Sequence, residues 1–286
     1  MLMEAIMSFT DIIGCVLNTK DDEPVLAALE ELAGDAGRAV AVLFGVLPDP
    51  VYTTAEGVLV TGLWTEVLAT IRSDFAKERR ELEQRCRRAA FPLEIRALES
   101  AAALLGNEAA VQARHADLCV MLRPKGAKSE ADRIAMFEQV LFGSGRPVLL
   151  VPPNWKRTAI GRNVVVGWNG KREAARAIAD ATPFLERAEK VVVAAVDAKP
   201  DTDGCGEAPG VDITAHLARK KIRAELCNVD GLGRSHGEAL LAEARTREAD
   251  LIVIGGYGRP RLSEWIFGGV TREILERAET PVLISH

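Results

Sequence analysis

The chain has 286 residues, 48% of them hydrophobic and 27% charged, with a formal net charge of -5 and an isoelectric point near 5.6. That length suits two domains of ordinary size, and the composition is that of a folded globular protein, not a disordered one. The acidic balance excludes a nucleic-acid binder that relies on phosphate attraction. No apolar run approaches the ~18–20 residues of a membrane span, and residues 1–8 carry Glu4 and no basic segment of a secretory signal. The five cysteines (Cys15, Cys86, Cys119, Cys205 and Cys227) are odd in number, scattered and without a CxxC pair, as expected of reduced thiols in a cytoplasm.

In chain order, apolar runs predict strands near 10–17, 39–47, 93–98, 117–122 and 147–151 in the first half. Helical stretches fall at about 62–89, 106–115 and 129–141. The first of these is long, and its charge run at 77–88 reads as a solvated face, with a docking surface as the alternative. A proline-led linker, Pro152-Pro153-Asn154-Trp155-Lys156-Arg157, then divides the chain into units 1–153 and 154–286. In the second half the expected strands are 164–166, 191–196, 222–229, 250–255 and 281–285. Its expected helices are 173–185 apart from Pro183 near its end, one containing His216, one opening at Ser235, and 265–278.

The halves repeat one another. Asp117-Leu118-Cys119-Val120-Met121 returns as Asp250-Leu251-Ile252-Val253-Ile254, and Arg146-Pro147-Val148-Leu149-Leu150 returns as Thr280-Pro281-Val282-Leu283-Ile284, at offsets of 133 and 134. Five strands joined by crossover helices require a parallel sheet, because parallel neighbours cannot be joined by tight hairpins. Unalternated Val/Ile runs fit strands covered on both faces. The predicted class is therefore α/β, two units, each a five-stranded parallel sheet flanked by helices.

In such sheets ligands bind at the carboxyl ends of strands where the winding reverses. There the run Leu251-Ile252-Val253-Ile254 passes into Gly255-Gly256-Tyr257-Gly258-Arg259-Pro260, and Gly268-Gly269-Val270-Thr271 follows at the start of the last helix. Glycines allow positive φ and let backbone amides face a ligand. Two such amide nests, one at a helix start, would cradle a di- or triphosphate; glycine-rich turns also follow strands for purely structural reasons.

This segment resembles the universal stress protein family, whose nucleotide-binding members carry G-x2-G-x9-G-[Ser/Thr] here. Gly255-x2-Gly258-x9-Gly268 matches the spacing, while Gly269 stands at the hydroxyl position and Thr271 offers a hydroxyl two residues on. The resemblance covers the second half nearly end to end and the first only in its strand order, as in a tandem member. It implies a Rossmann-like sheet of the adenine nucleotide alpha hydrolase type, with strand order 3-2-1-4-5, that binds ATP, ADP or AMP, with Mg²⁺ offsetting phosphate charge. It also implies that Asn169, in the family's aspartate position within Val166-Gly167-Trp168-Asn169-Gly170-Lys171, lies by the nucleoside. By position, Val196 would hold adenine through backbone groups. Gly255, Gly258, Gly268, Gly269, Val270 and Thr271 would take the phosphates. Members usually pair two units through the last strand, which here implies an internal pairing of 148–151 with 282–284 and leaves a homodimer open.

The first half departs further. Its fourth strand leaves as Leu122-Arg123-Pro124-Lys125-Gly126 without G-x2-G, proline removes an amide, and Gly143-Ser144-Gly145 aligns with a helix exit. Val16-Leu17-Asn18-Thr19-Lys20 replaces the family's first-strand motif, so this half is not expected to bind nucleotide in the family's manner. Arg234, Ser235 and His236 either line the crevice or begin a helix that Ser235 caps. Trp168 and Trp265 either shape the crevice or simply pack. The acidic, glycine-rich run at 201–207 reads as a mobile loop. The four histidines show no metal-ligand spacing, and neither G-x-S-x-G nor a Walker loop occurs. The resemblance implies a cytoplasmic stress-response protein, and with no positioned base or activated nucleophile the expectation is a sensor or binding protein with at most slow ATP hydrolysis. The alternative is an interaction module of the same fold whose nests are empty.

Overall fold

A computed structural model describes residues 9–34, 38–48, 61–89, 93–155, 159–199, 208–256 and 269–286. The first half contains β1 (Asp11–Val16), α1 (Glu23–Ala33), β2 (Arg38–Leu47), α2 (Thr61–Arg87), β3 (Glu94–Ala101), α3 (Leu105–Ala113), β4 (Leu118–Leu122), α4 (Glu130–Gly143) and β5 (Val148–Val151). The second contains β6 (Asn163–Gly167), α5 (Arg172–Asp180), α6 (Thr182–Leu185), β7 (Lys190–Val196), α7 (Val211–Arg219), β8 (Ala224–Val229), α8 (His236–Thr246), β9 (Leu251–Gly255), α9 (Gly269–Arg277) and β10 (Val282–Ser285).

The strands form one sheet, ordered β3-β2-β1-β4-β5-β10-β9-β6-β7-β8. Within each half all neighbours are parallel. The halves join where β10 runs antiparallel to β5, Val282 opposite Leu150, Leu283 opposite Leu149 and Ile284 opposite Val148. An isolated unit would leave that strand as an exposed edge, so the pairing covers two edges at once.

Successive strand residues feed opposite cores, which is why the apolar runs do not alternate. Ile12, Val16, Val120, Val166 and Val253 pack under α1, α2, α5, α6 and α7. Ile13, Cys15, Met121, Val165 and Ile254 pack under α3, α4, α8 and α9. Chain order then places the winding reversal between β1 and β4 in one half and between β6 and β9 in the other.

The repeated aspartates have a structural cause. Asp117, just before β4, accepts the Thr10 and Asp11 amides at 2.8 and 3.1 Å. Asp250, just before β9, accepts those of Gly161, Arg162 and Asn163 at 2.8–3.2 Å. Each carboxylate caps the start of the adjacent strand. The stretch 173–185, expected to be helical apart from Pro183, forms two helices, α5 and α6, with Pro183 in the first turn of the second, because Pro183 cannot donate to the preceding turn and starts a helix better than it continues one. Gly145 takes a left-handed φ of 72° beyond α4, as a helix exit requires.

Candidate functional site

The carboxyl ends of β7, β6 and β9 lie side by side, so Val196, Asn169 and Gly255 come together at the second half's winding reversal. Gly258, Gly268, Tyr257, Trp265 and the 201–207 run lie outside the described residues. Gly269, Val270 and Thr271 form the first turn of α9. That turn belongs to the same end of the sheet: Ser235, at the exit from β8, donates to Glu273 Oε2 at 2.6 Å, one turn into α9. Ser235 also caps α8 by accepting the Glu238 amide at 3.2 Å, so the capping role of this serine is realised.

The glycines differ in what they are for. Gly255 has no positive φ. A Cβ there would lie 2.5 Å from the Ala174 nitrogen and closer still to the Glu173 carbonyl carbon. The glycine therefore lets the first turn of α5 sit on the end of β9, where the sequence suggested a backbone turned toward a ligand. Gly269 is exposed, with no atom of the described residues within 4 Å of where its Cβ would be. Thr271 is only 3% exposed, on the buried side of α9, whereas Gly269 is exposed.

Asn169 is exposed, and its Oδ1 accepts the Lys171 amide at 3.1 Å, an Asx turn leading into α5. Gly170 follows with φ 70°. Among the described residues, no acceptor is bonded to the Asn169 or Gly170 amides, whereas Trp168 N is satisfied by Ala194 O at 2.9 Å. Beyond Val196 the chain turns sharply: Asp197 takes φ 48°, and its Oδ1 accepts the Gly231 amide at 2.8 Å. Its Oδ2 lies 3.6 Å from Nε2 of His236. Sequence reasoning missed Asp197; its one signal was its place directly after the second strand.

Glu173, buried in the first turn of α5, contacts Gly255 and pairs with Arg172 at 2.6 Å. Burial raises its pKa, but Arg172 and a backbone amide more than offset this, and its carboxyl is held below the usual range.

The corresponding place in the first half is closed by the protein's own side chains. Asp22 Oδ2 accepts the Leu17 and Asn18 amides at 2.7 and 3.0 Å, and Glu78 of α2 accepts the Thr19 amide at 3.0 Å. Asn18 Oδ1 accepts those of Lys20 and Asp21 at 3.1 and 3.0 Å. Arg133 of α4 inserts behind them, bonding Asp22 at 2.6 and 3.1 Å with both residues buried. At the exit from β4, the Gly126 amide is taken by Glu130 Oε2 at 3.1 Å. Amides that an external anion would need are thus spent on internal carboxylate and amide oxygens.

Comparison with known proteins gives three findings. The model of the Universal stress protein family matches residues 161–286. A universal stress protein from Archaeoglobus fulgidus DSM 4304 superposes with a TM-score of 0.69 at 14% identity, covering 96% of this chain and 97% of that one. A functionally unknown protein from Pseudomonas aeruginosa PAO1 superposes with a TM-score of 0.52 at 13% identity, covering 98% and 94%. At these identities the two structures establish a shared fold over both halves. No curated protein sequence matches the chain.

Proposed function

We propose, since residues 161–286 belong to the universal stress protein family, that the second half binds an adenine nucleotide (ATP, ADP or AMP) and that the protein acts as a cytoplasmic stress-response sensor. The observation that carries this reading is the contrast between the two crevices. In the first, five consecutive amides from Leu17 to Asp21 are closed by side chains. In the second, the equivalent turn leaves the Asn169 and Gly170 amides without acceptors among the described residues. An exposed glycine also opens the helix after β9 at the same end of the sheet.

In this reading Asn169 meets the nucleoside with its amide group, since its oxygen is committed to Lys171. Val196 offers backbone groups to the base. Gly258, Gly268, Gly269 and Val270 bring the chain close to the phosphates, Gly255 lets α5 close on the end of β9, and Thr271 supports the turn from its buried side. Mg²⁺ enters with the nucleotide and offsets phosphate charge. Unit 1–153 is a degenerate copy with a supporting role, and unit 154–286 carries the ligand.

A second reading, an interaction module without nucleotide, draws on the engaged Asn169 oxygen and the buried Thr271. Mass spectrometry of small molecules released from the purified chain, followed by calorimetry with ATP, ADP and AMP, separates the two. Binding of at least one is expected. No heat with any of the three at millimolar concentration would favour the interaction module. Gly258→Val is expected to abolish binding by placing a side chain in the nest, and unchanged affinity would put the phosphates elsewhere.

A further inference from the structure

Arg123 follows β4 directly, in the place that Gly256 holds after β9. Its amide closes onto Val151 O at 2.8 Å, within the first half. Its side chain crosses to the other half, where Nη1 donates to Leu275 O at 2.7 Å and to Glu276 O at 3.0 Å. Both acceptors lie in the last turn of α9, whose carbonyls have no intrahelical partner and carry the negative end of the helix dipole. Burial disfavours the charged guanidinium and lowers its pKa, so the cation is placed where α9 compensates it. Nε is buried without a partner among the described residues, so the two helix carbonyls set the orientation of the guanidinium.

Among the described residues, the other side-chain hydrogen bonds and ion pairs between α9 and neighbouring elements run to α8 within its own half, Ser235 to Glu273 and Arg277 to Glu238. Arg123 alone among these links ties it to the first half. The mirror-related contact is apolar: Gly256 leaves room for Leu141 of α4. We infer that the first half serves the second half's site through Arg123, a positioning residue that holds α9 from its carboxyl end and so sets where the amino-terminal turn meets the phosphates. This rests on the nucleotide reading for the identity of the ligand. A nine-residue helix spans only about 13 Å, and as a rigid rod it transmits a tilt at one end to the other.

The test uses the full chain with Arg123→Met, which keeps the stem and removes the donors, and Arg123→Lys, which restores a cation. Hydrogen exchange without ligand is expected to show faster exchange in 269–277 for the methionine variant, with β9 unchanged and partial recovery in the lysine variant. Calorimetry is expected to show ATP binding weakened about five- to tenfold, with adenosine, which lacks phosphate, unaffected. Unchanged exchange in α9, or equal weakening of ATP and adenosine, overturns the inference. If the wild-type chain binds neither compound, the nucleotide reading fails on its own account. Exchange in α9 then decides whether Arg123 is its clamp.

Discussion

Replacing Arg133 with methionine would strand the Asp22 carboxylate. Asp22 is 0% exposed, and the Arg133 side chain is 4% exposed, so water cannot replace the guanidinium. Removing one partner of a buried ion pair costs about 3–5 kcal/mol. Asp22 keeps the Leu17 and Asn18 amides, which places the expected loss near the lower end, about 3 kcal/mol. At about 2–4 °C per kcal/mol for a large domain, the melting temperature should fall by about 6–12 °C. Arg85→Met is the control: Arg85 also bonds two carboxylates, Glu23 and Glu30, but its side chain is 20% exposed and Glu23 is more exposed still. Its loss should be about 1 kcal/mol or less. Adding Asp22→Asn to Arg133→Met should recover part of the stability, because a neutral amide costs less to bury than an unpaired charge. The assay is urea unfolding at neutral pH, followed by circular dichroism. A loss below about 1 kcal/mol for Arg133→Met, or one equal to that of Arg85→Met, would refute the claim that this pair plugs the first crevice.

Gly255→Ala should destabilise by about 1–3 kcal/mol through overpacking, because its Cβ would meet α5 backbone, which cannot swing aside as a side chain would; wild-type unfolding would show that α5 does not pack so closely. Cys86 is buried beside α1, and burial pushes its thiol up to about 11, so alkylation in the native chain should be slow near pH 8 and rise steadily toward that value. Fast labelling at pH 8 without unfolding would contradict that environment. Glu130 is held below the usual carboxylate range by the Gly126 amide first and by Lys125. A lowered folded pKa contributes stability above the unfolded value and loses it as pH falls through the folded one. The stability gap between wild type and Glu130→Gln should therefore be present near neutrality and close in strong acid; a gap that persists there would assign it to packing.

Much of the fold was legible because its signals are local. Val164, Val165 and Val166, with Val191, Val192 and Val193, announce strands covered on both faces, and Pro183 marks a break in helix geometry. Asp117 and Asp250 mark the same corner twice, and the pairing of the two last strands, which the family resemblance implied, is realised between β5 and β10. The location of the candidate site was legible in outline: Asn169, Val196 and Gly255 stand at adjacent strand ends, where the reversal of winding places them. The reason for Gly255 was not legible. A glycine that admits a helix backbone and one that turns an amide outward look alike in a sequence, and only the position of α5 separates them.

By itself, then, the sequence determined the alternation of strands and helices and the duplication, since these follow from periodicity, spacing and residue type along the chain, while the pairing of the two last strands was implied by the family resemblance and is seen in the register of β5 and β10. Only the tertiary structure decided what fills the first crevice and what holds α9. Glu78 reaches Thr19 across 59 residues, Arg133 reaches Asp22 across 111, and Arg123 reaches Leu275 across 152. Partners so far apart leave no period or spacing to read. They meet because the sheet winds from β1 to β4 and then continues through β5 into β10, bringing side chains from distant segments to one edge.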